Sequence, residues 1–194
     1  RSSDLGGWAP KRIELFTEEL PRPTFLGRDS GTTTMAEEEG TRVRKVWTVK
    51  NKGLVQDLFE GPLDLVGDVH GEIDGLLSLV AVLGYDPSGR HPDGRRLVFV
   101  GDLTDRGPDS PAVVRLVADL VGAGTAQCIL GNHELNLLLR HKKPENGWFE
   151  GDESRGNGCE VAADEPGRDF VIDFFGSLPM ALERSDLRVV HACW

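Results

Sequence analysis

The sequence has few of the features that mark secreted or membrane-spanning proteins. Its 194 residues include only three cysteines and no CxxC pair, which is typical of a reducing compartment rather than of a disulfide framework. No apolar run approaches the roughly 20 residues of a membrane span, and the N-terminus has no signal-peptide core. We therefore expect a soluble, cytoplasmic protein.

The sequence also lacks a block rich in lysine or arginine, and its formal net charge is −10. Sequence-independent binding to nucleic acid or to an anionic membrane depends on clustered cations, so the charge disfavours both kinds of partner. A local basic pocket could still hold a phosphate.

A chain of this length suits one α/β domain. Apolar runs predict strands at Leu63–Val66, Leu97–Val100, Ala126–Leu130 and Leu187–Val190. Helical spacing predicts helices at Glu72–Leu83, Pro111–Val121, Leu135–Arg140 and Asp169–Phe175. Ser110 is the expected N-cap of the second helix. This order indicates a layered α/β fold whose strands are buried on both faces.

The chain is expected to consist of an N-terminal extension and a catalytic domain that contains an insertion. Residues 1–60 are expected to be a poorly defined N-terminal extension, since the first methionine is Met35. Residues 61–194 are expected to form the catalytic domain, with its C-terminal part missing because the sequence stops directly after a predicted strand. Lys142–Arg168 is a polar, glycine-rich insertion, which suits substrate-facing loops, and Trp148 is expected to anchor it.

Each predicted strand is followed by polar side chains that could bind a metal ion. They are Asp68 and His70, then Asp102 and Asp105, then Asn132 and His133, and finally His191. Ligands of open α/β sheets bind outside the carboxyl ends of the strands, so these groups are expected to converge. Carboxylate, amide oxygen and imidazole together suit divalent ions such as Mn²⁺, Fe²⁺ or Zn²⁺.

Four short motifs carry a resemblance to a known family. They are GDVHG at 67–71, GDLTDRGP at 101–108, GNHE at 131–134 and His-Ala at 191–192. Together they resemble the phosphoprotein phosphatase (PPP) family of the calcineurin-like metallophosphoesterases. The resemblance covers roughly residues 63–194 and implies a layered β-sandwich flanked by helices. Leu130 stands where eukaryotic-type members have arginine, so the resemblance is to the bacterial type.

The resemblance implies two divalent metal ions, with manganese favoured and iron or zinc as alternatives. By analogy with the family, Asp68 and His70 bind the first ion and Asp102 bridges both. Asn132 and His191 bind the second ion. A further histidine ligand is usual downstream in the family, and Cys193 replaces a glycine that usually follows the His-Ala pair.

The resemblance also implies catalytic roles for three residues. His133 is expected to be the general acid for the leaving oxygen, and Asp105 to hold and tune it. Arg106 is expected to bind phosphoryl oxygens, since a guanidinium offers two parallel donors to a tetrahedral oxyanion.

The expected activity is metal-dependent hydrolysis of a phosphomonoester, by analogy with serine/threonine protein phosphatases. The expected partner is a phosphorylated protein or small phosphoester. One alternative is hydrolysis of a dinucleoside polyphosphate or a cyclic phosphodiester. Another, of a different class, is a non-catalytic module that binds phosphate or a partner through an incomplete metal site.

Overall fold

The computed structural model describes residues 53–151 and 161–192, which lie within one compact unit. Its strands are β1 (Val55–Asp57), β2 (Leu63–Val66), β3 (Arg96–Phe99), β4 (Ala126–Cys128), β5 (Ala181–Arg184) and β6 (Leu187–Val190). Its α-helices are α1 (Ile73–Val82), α2 (Ser110–Gly122), α3 (Asn132–Leu138), α4 (Gly147–Glu150) and α5 (Glu165–Gly176), with a 3₁₀ turn at Pro144–Asn146. Most of the expected N-terminal extension lies outside the described residues, as do Cys193 and Trp194.

The first sheet has the order β2-β3-β4, and all its strands are parallel. In the central strand β3, Leu97, Val98 and Phe99 are all fully buried, as expected for a parallel strand covered on both faces. Successive side chains of a strand point to opposite faces, so Leu97 and Phe99 pack toward the helices while Val98 faces away from them. The edge strand β2 differs from the prediction, because its Leu65 is 52% exposed.

The second sheet has the order β1-β5-β6 and packs on the free face of the first. β1 runs parallel to β5, and β5 runs antiparallel to β6. A buried cluster joins the two sheets, formed by Leu58, Val98, Ile129, Leu182 and Val189. The predicted layered sandwich flanked by helices is therefore confirmed.

Two strands of this second sheet were not predicted. The short segments of β1 and β5 show no clear alternation, and β5 is stabilised by pairing on both sides. The expected domain boundary near residue 61 stays a prediction, although β1 precedes it and pairs with β5.

The predicted starts of two helices were wrong by a few residues, and the predicted N-cap of a third was wrong. Asp109, not Ser110, is the N-cap of α2, because its side chain accepts the Ala112 amide. Helix α3 begins at Asn132 rather than at Leu135, and it ends at Leu138. Helix α5 begins at Glu165 rather than at Asp169, since the Asp164 side chain accepts the Gly167 amide and caps it.

The insertion is less of a surface excursion than predicted. Asn146 and Trp148 are 1% and 3% exposed, and the segment around them folds as the 3₁₀ turn and α4. Trp148 belongs to the main hydrophobic core together with Ala163.

None of the helices in 53–151 and 161–192 combines the length and apolarity that crossing a bilayer would require.

Candidate metal centre and active site

The loops that follow β2 and β3 are joined edge to edge by backbone hydrogen bonds. The amides of Val69 and His70 both donate to the Asp102 carbonyl, at 3.0 Å each. Farther along, the Gly107 amide donates to the His70 carbonyl at 2.7 Å. The two loops therefore fix each other's position at the carboxyl end of the sheet.

The loops that follow β3 and β4 are packed backbone against backbone at two glycines. A Cβ on Gly101 would lie 2.3 Å from the amide nitrogen of Gly131. A Cβ on Gly131 would lie 2.3 Å from Asp102 Oδ1. Real side chains do not tolerate such distances, so both positions require glycine for close approach.

Four of the predicted site residues have left-handed backbone conformations. The φ angles are 48° at His70, 51° at Asp102, 72° at Asp105 and 69° at Arg106. Each such residue costs on the order of 1–3 kcal/mol and persists only where its surroundings enforce it. The hydrogen bonds and glycine contacts between the loops supply that enforcement.

The Glu134 carboxylate, which sequence reasoning missed, holds the loops after β3 and β4 together. It is fully buried and accepts the amides of Asp102, Leu103 and Gly131, each at 2.8 Å. Burial raises the pKa of Glu134 above its ordinary value, and the three amides oppose that rise. A glutamate three residues after a helix N-cap is a recognised capping pattern, and it was the available signal.

Two groups of side chains offer ligand atoms that lie within 4.8 Å of one another. One consists of Asp68, Asp102 and His191, and the other of His70, Asp102 and His133. Asp102 belongs to both: its Oδ1 lies 3.5 Å from His191 Nε2 and its Oδ2 lies 3.9 Å from His133 Nε2. This placement suits a carboxylate that bridges two ions.

Backbone carbonyls orient two of the imidazoles toward the candidate metal centre. His70 Nδ1 donates to the Thr104 carbonyl at 3.0 Å, and His191 Nδ1 donates to the Val100 carbonyl at 2.8 Å. Because a carbonyl only accepts, the proton of each neutral ring is on Nδ1 and the lone pair is on Nε2. Imidazoles that bind metal ions are oriented in this way.

The donor set fits divalent cations. His191 Nε2, with its lone pair, lies 3.1 Å from Asn132 Oδ1 and 3.5 Å from Asp102 Oδ1. Electron-pair donors that face one another repel unless a cation or a proton lies among them. A mixed oxygen and imidazole set of this kind is what divalent transition metals prefer.

His133 and Asp105 form a close, buried pair. His133 Nδ1 lies 2.6 Å from Asp105 Oδ2, and the two side chains are 5% and 0% exposed. The hydrogen bond to Asp105 raises the pKa of His133 above its ordinary value, Asp102 adds to the rise, and burial opposes it. An imidazole held in this state can donate a proton from Nε2.

Arg106 directs its guanidinium at imidazoles instead of a carboxylate. Its Nη1 donates to His70 Nε2 at 2.9 Å, and its Nη2 lies 3.4 Å from His133 Nε2. Within the described residues no carboxylate pairs with Arg106. Its positive charge is therefore free to bind an anion.

The structure thus brings all the predicted site residues together. Five of them lie in the loops after β2 and β3, Asn132 and His133 are the first residues of α3, and His191 directly follows β6 in the second sheet. His133, predicted as an acid, also lies in one of the potential ligand groups. The individual roles stay predictions.

The described site includes three residues that sequence reasoning did not assign to it, namely Glu134, Asn146 and Trp148. Asn146 and Trp148 come from the insertion, and both donate to the Asp105 carboxylate. Neither has a local sequence signal for this contact, because Trp148 is 43 residues from Asp105 in the chain.

Curated relatives at the sequence level are bis(5'-nucleosyl)-tetraphosphatases PrpE of the asymmetrical type. The protein from Halalkalibacterium halodurans is 53% identical over 81 residues, a match that covers 40% of this chain and 32% of the relative. The protein from Bacillus subtilis strain 168 is 43% identical over 83 residues, covering 41% and 34%. The matched part thus spans about a third of the length of these relatives.

Among solved structures, a protein proposed to be a diadenosine tetraphosphatase matches 67% of this chain and 49% of its own. Its sequence identity is 27% and its TM-score is 0.44.

The family model of the calcineurin-like phosphoesterases matches residues 61–190. The match includes the loops after β2, β3 and β4 and the whole of β6. It confirms, at the level of the family, the prediction of a metal-dependent hydrolase that acts on phosphoester bonds. The chain belongs to the calcineurin-like phosphoesterase family.

Proposed function

We propose that this chain carries catalytic residues of a metal-dependent hydrolase that cleaves dinucleoside polyphosphates, in a branch related to the PPP phosphatases. The observation that supports this substrate class is the 53% identity to a bis(5'-nucleosyl)-tetraphosphatase over 81 residues. The comparisons favour this alternative over the protein phosphatase that the sequence motifs first suggested.

The metal ligands of the proposed enzyme are Asp68, His70, Asp102, Asn132 and His191. Two divalent ions held there, which we propose to be Mn²⁺, would polarise the phosphoryl group and supply an activated water. Asp102 would be shared by both ions, since its carboxylate belongs to both groups of potential ligand atoms. The carbonyls of Thr104 and Val100 would keep the Nε2 lone pairs of His70 and His191 directed at the ions.

Arg106 and His133 act on the substrate itself. The Arg106 guanidinium binds phosphoryl oxygens, for which it has two terminal nitrogens already directed into the site. His133, paired with Asp105 through Nδ1, donates its Nε2 proton to the leaving oxygen. A polyphosphate leaves as a stable anion, whereas serine leaves as an alkoxide, so the proposed substrate depends less on this proton.

A substrate panel tests the proposal. The chain is incubated with Mn²⁺ and, separately, bis(5'-adenosyl) tetraphosphate, a phosphoserine peptide and cyclic 3',5'-AMP, and the products are separated by anion exchange. We expect the highest kcat/KM on the tetraphosphate, with ATP and AMP as its products. A higher kcat/KM on the peptide, or two ADP molecules as products, would contradict the proposal.

Metal analysis of the same preparation addresses the non-catalytic alternative. Two ions per chain are expected if the whole ligand set is used. A chain that holds one ion or none, and hydrolyses none of the substrates, would favour a phosphate-binding module instead.

A further inference from the structure

The Asp105 carboxylate is as fully enclosed as that of Glu134. It is 0% exposed, and three side chains from outside its own loop contact it. His133 Nδ1 contacts Oδ2 at 2.6 Å, Trp148 Nε1 donates to Oδ1 at 2.6 Å, and Asn146 Nδ2 lies 3.1 Å from both oxygens.

The orientation of the Asn146 amide is fixed by its other end. Its Oδ1 accepts the backbone amide of Lys143 at 2.9 Å, so its Nδ2 is the group that faces Asp105. The Trp148 ring is held as well, because it is 3% exposed and packs in the main hydrophobic core. Both donors therefore meet Asp105 with little freedom to move.

We infer that Trp148 and Asn146 are positioning residues for the His133–Asp105 pair. The inference rests on the proposed function only in taking His133 as the proton donor. A carboxylate has two oxygens that each accept from several directions. Trp148 donates to Oδ1, the oxygen that His133 does not contact, and Asn146 Nδ2 lies between the two oxygens. Together they fix the rotation of the carboxylate and keep Oδ2 directed at Nδ1.

The consequence for His133 is a fixed ring. With Nδ1 held by Asp105, the proton that can be transferred is on Nε2, which faces Asp102 and Arg106. If the Trp148 donor is removed, Oδ1 loses its shorter hydrogen bond and keeps only the 3.1 Å contact to Asn146 Nδ2. Asp105 can then rotate, and the imidazole is no longer held at one angle.

The same contacts would arise if Trp148 only filled the core, so the test must separate chemistry from packing. Trp148→Phe keeps an aromatic ring and removes the Nε1 donor. The matched control is Phe149→Leu, in the same helix, since Phe149 packs on the core and on the Trp148 ring. Asn146→Ala removes the other donor and serves if Trp148→Phe does not fold.

Two aryl phosphates with different leaving groups are the first readout. Phenyl phosphate needs a proton on its leaving oxygen, whereas 2,4-dinitrophenyl phosphate does not. We expect Trp148→Phe to lower kcat about tenfold on phenyl phosphate and less than about threefold on the dinitrophenyl ester. Phe149→Leu should change both equally. Equal losses on both esters in Trp148→Phe would overturn the inference.

A double-mutant cycle with His133→Asn is the second readout. If Trp148 acts through His133, then Trp148→Phe should have no further effect on kcat once His133 is replaced. Additive losses in the double variant would show that Trp148 acts through the fold alone.

An NMR measurement makes the inference independent of turnover. In the chain labelled with ¹⁵N-histidine, the Nδ1 proton of His133 should give a low-field signal, assigned by its loss in His133→Asn. We expect this signal to move upfield in Trp148→Phe and Asn146→Ala and to stay in place in Phe149→Leu. An unchanged signal in both donor variants would overturn the inference, whereas failure of the proposed substrate would show only in the panel with the tetraphosphate.

Discussion

The two ends of the first sheet contain the same kinds of residue in different arrangements. At the amino end, Arg95 donates to both oxygens of Asp64, and the Tyr85 hydroxyl donates to Asp64 Oδ2 at 2.7 Å. His91 Nε2 donates to the Leu83 carbonyl at 3.0 Å. Each of these three side chains meets an acceptor.

At the carboxyl end, several charged and polar side chains do not face, among the described residues, a group of opposite charge or a hydrogen-bond partner of the opposite kind. Arg106 faces His70 and His133 rather than a carboxylate, and the His191 lone pair faces the oxygen of Asn132. Cations and anions from outside the chain would satisfy these groups. Complete pairing thus serves stability at one end of the sheet, and incomplete pairing leaves binding capacity at the other.

The largest effect is expected from Asp102→Asn, since the bridging carboxylate loses its charge at the centre of the incomplete end. We expect hydrolysis to fall by at least about 10³-fold, because transition-state charge loses its stabilisation. Steady-state rates and metal content by mass spectrometry measure the effect. Retention of both full activity and two ions would contradict the bridging role.

Glu134→Gln should have the next largest effect. A neutral amide cannot accept all three of the loop amides that the carboxylate accepts, so at least one stays unpaired at a cost of about 1–3 kcal/mol. Because Asp102 then loses part of its support, we expect activity to fall about 10–100-fold. Urea unfolding and rate measurements check both values.

The control for Glu134 is Glu150→Gln, whose carboxylate lies near the surface and pairs with Lys142. It should leave activity unchanged. A Glu134→Gln variant that behaves like this control would show that the loops hold their geometry without the buried carboxylate.

Arg106→Lys tests the binding capacity directly. Lysine lacks the planar fork that binds two oxygens of a phosphate, so inhibition by inorganic phosphate should weaken about tenfold, which corresponds to about 1.4 kcal/mol. Arg95→Lys, at the complete end, should lower thermal stability and leave phosphate inhibition as it is. The comparison between the two ends fails if both variants change inhibition equally.

Asp64→Asn should have the smallest effect, limited to stability. The Arg95 hydrogen bonds hold the pKa of Asp64 below its ordinary value. A carboxylate with a lowered pKa stabilises the fold above its unfolded pKa of about 3.9, and that contribution is lost as pH falls through the folded pKa. The variant should thus have a Tm a few degrees lower at pH 7, and the difference should shrink below pH 4. A difference that grows with acidity would be the wrong sign.

The position of the candidate site residues at the carboxyl end of the sheet could be predicted from the sequence, because most of them directly follow strands. Polar side chains after buried apolar runs, as at Asp68 and Asp102, must lie at the carboxyl edge of a parallel sheet, and their glycine neighbours mark tight loops. The same logic predicted the layers and the helices that cover them. Local patterns are enough where the position of a residue depends on its own strand.

Other features depend on partners far away in the chain. Trp148 and Asn146 act through Asp105, so neither stands out in its own segment. Glu134 has a local capping pattern, but that pattern does not indicate its contacts with the amides of the loop after β3. Strand β5 is defined by its neighbours on both sides. The start of α2 was displaced because Ser110 instead accepts the Asp105 amide through its hydroxyl, while Asp109 caps the helix.

The contact between Gly101 and Gly131 has a consequence for how this centre can vary. A methyl group at either position would push apart the backbones that support Asp102 and Asn132, so the spacing of the proposed ligands is determined where the chain has no side chain. A substitution of one ligand side chain would leave this spacing of the backbones as it is, whereas a side chain at either glycine would change it. The distance between the two ligand-bearing loops therefore depends on the absence of a Cβ atom at both positions.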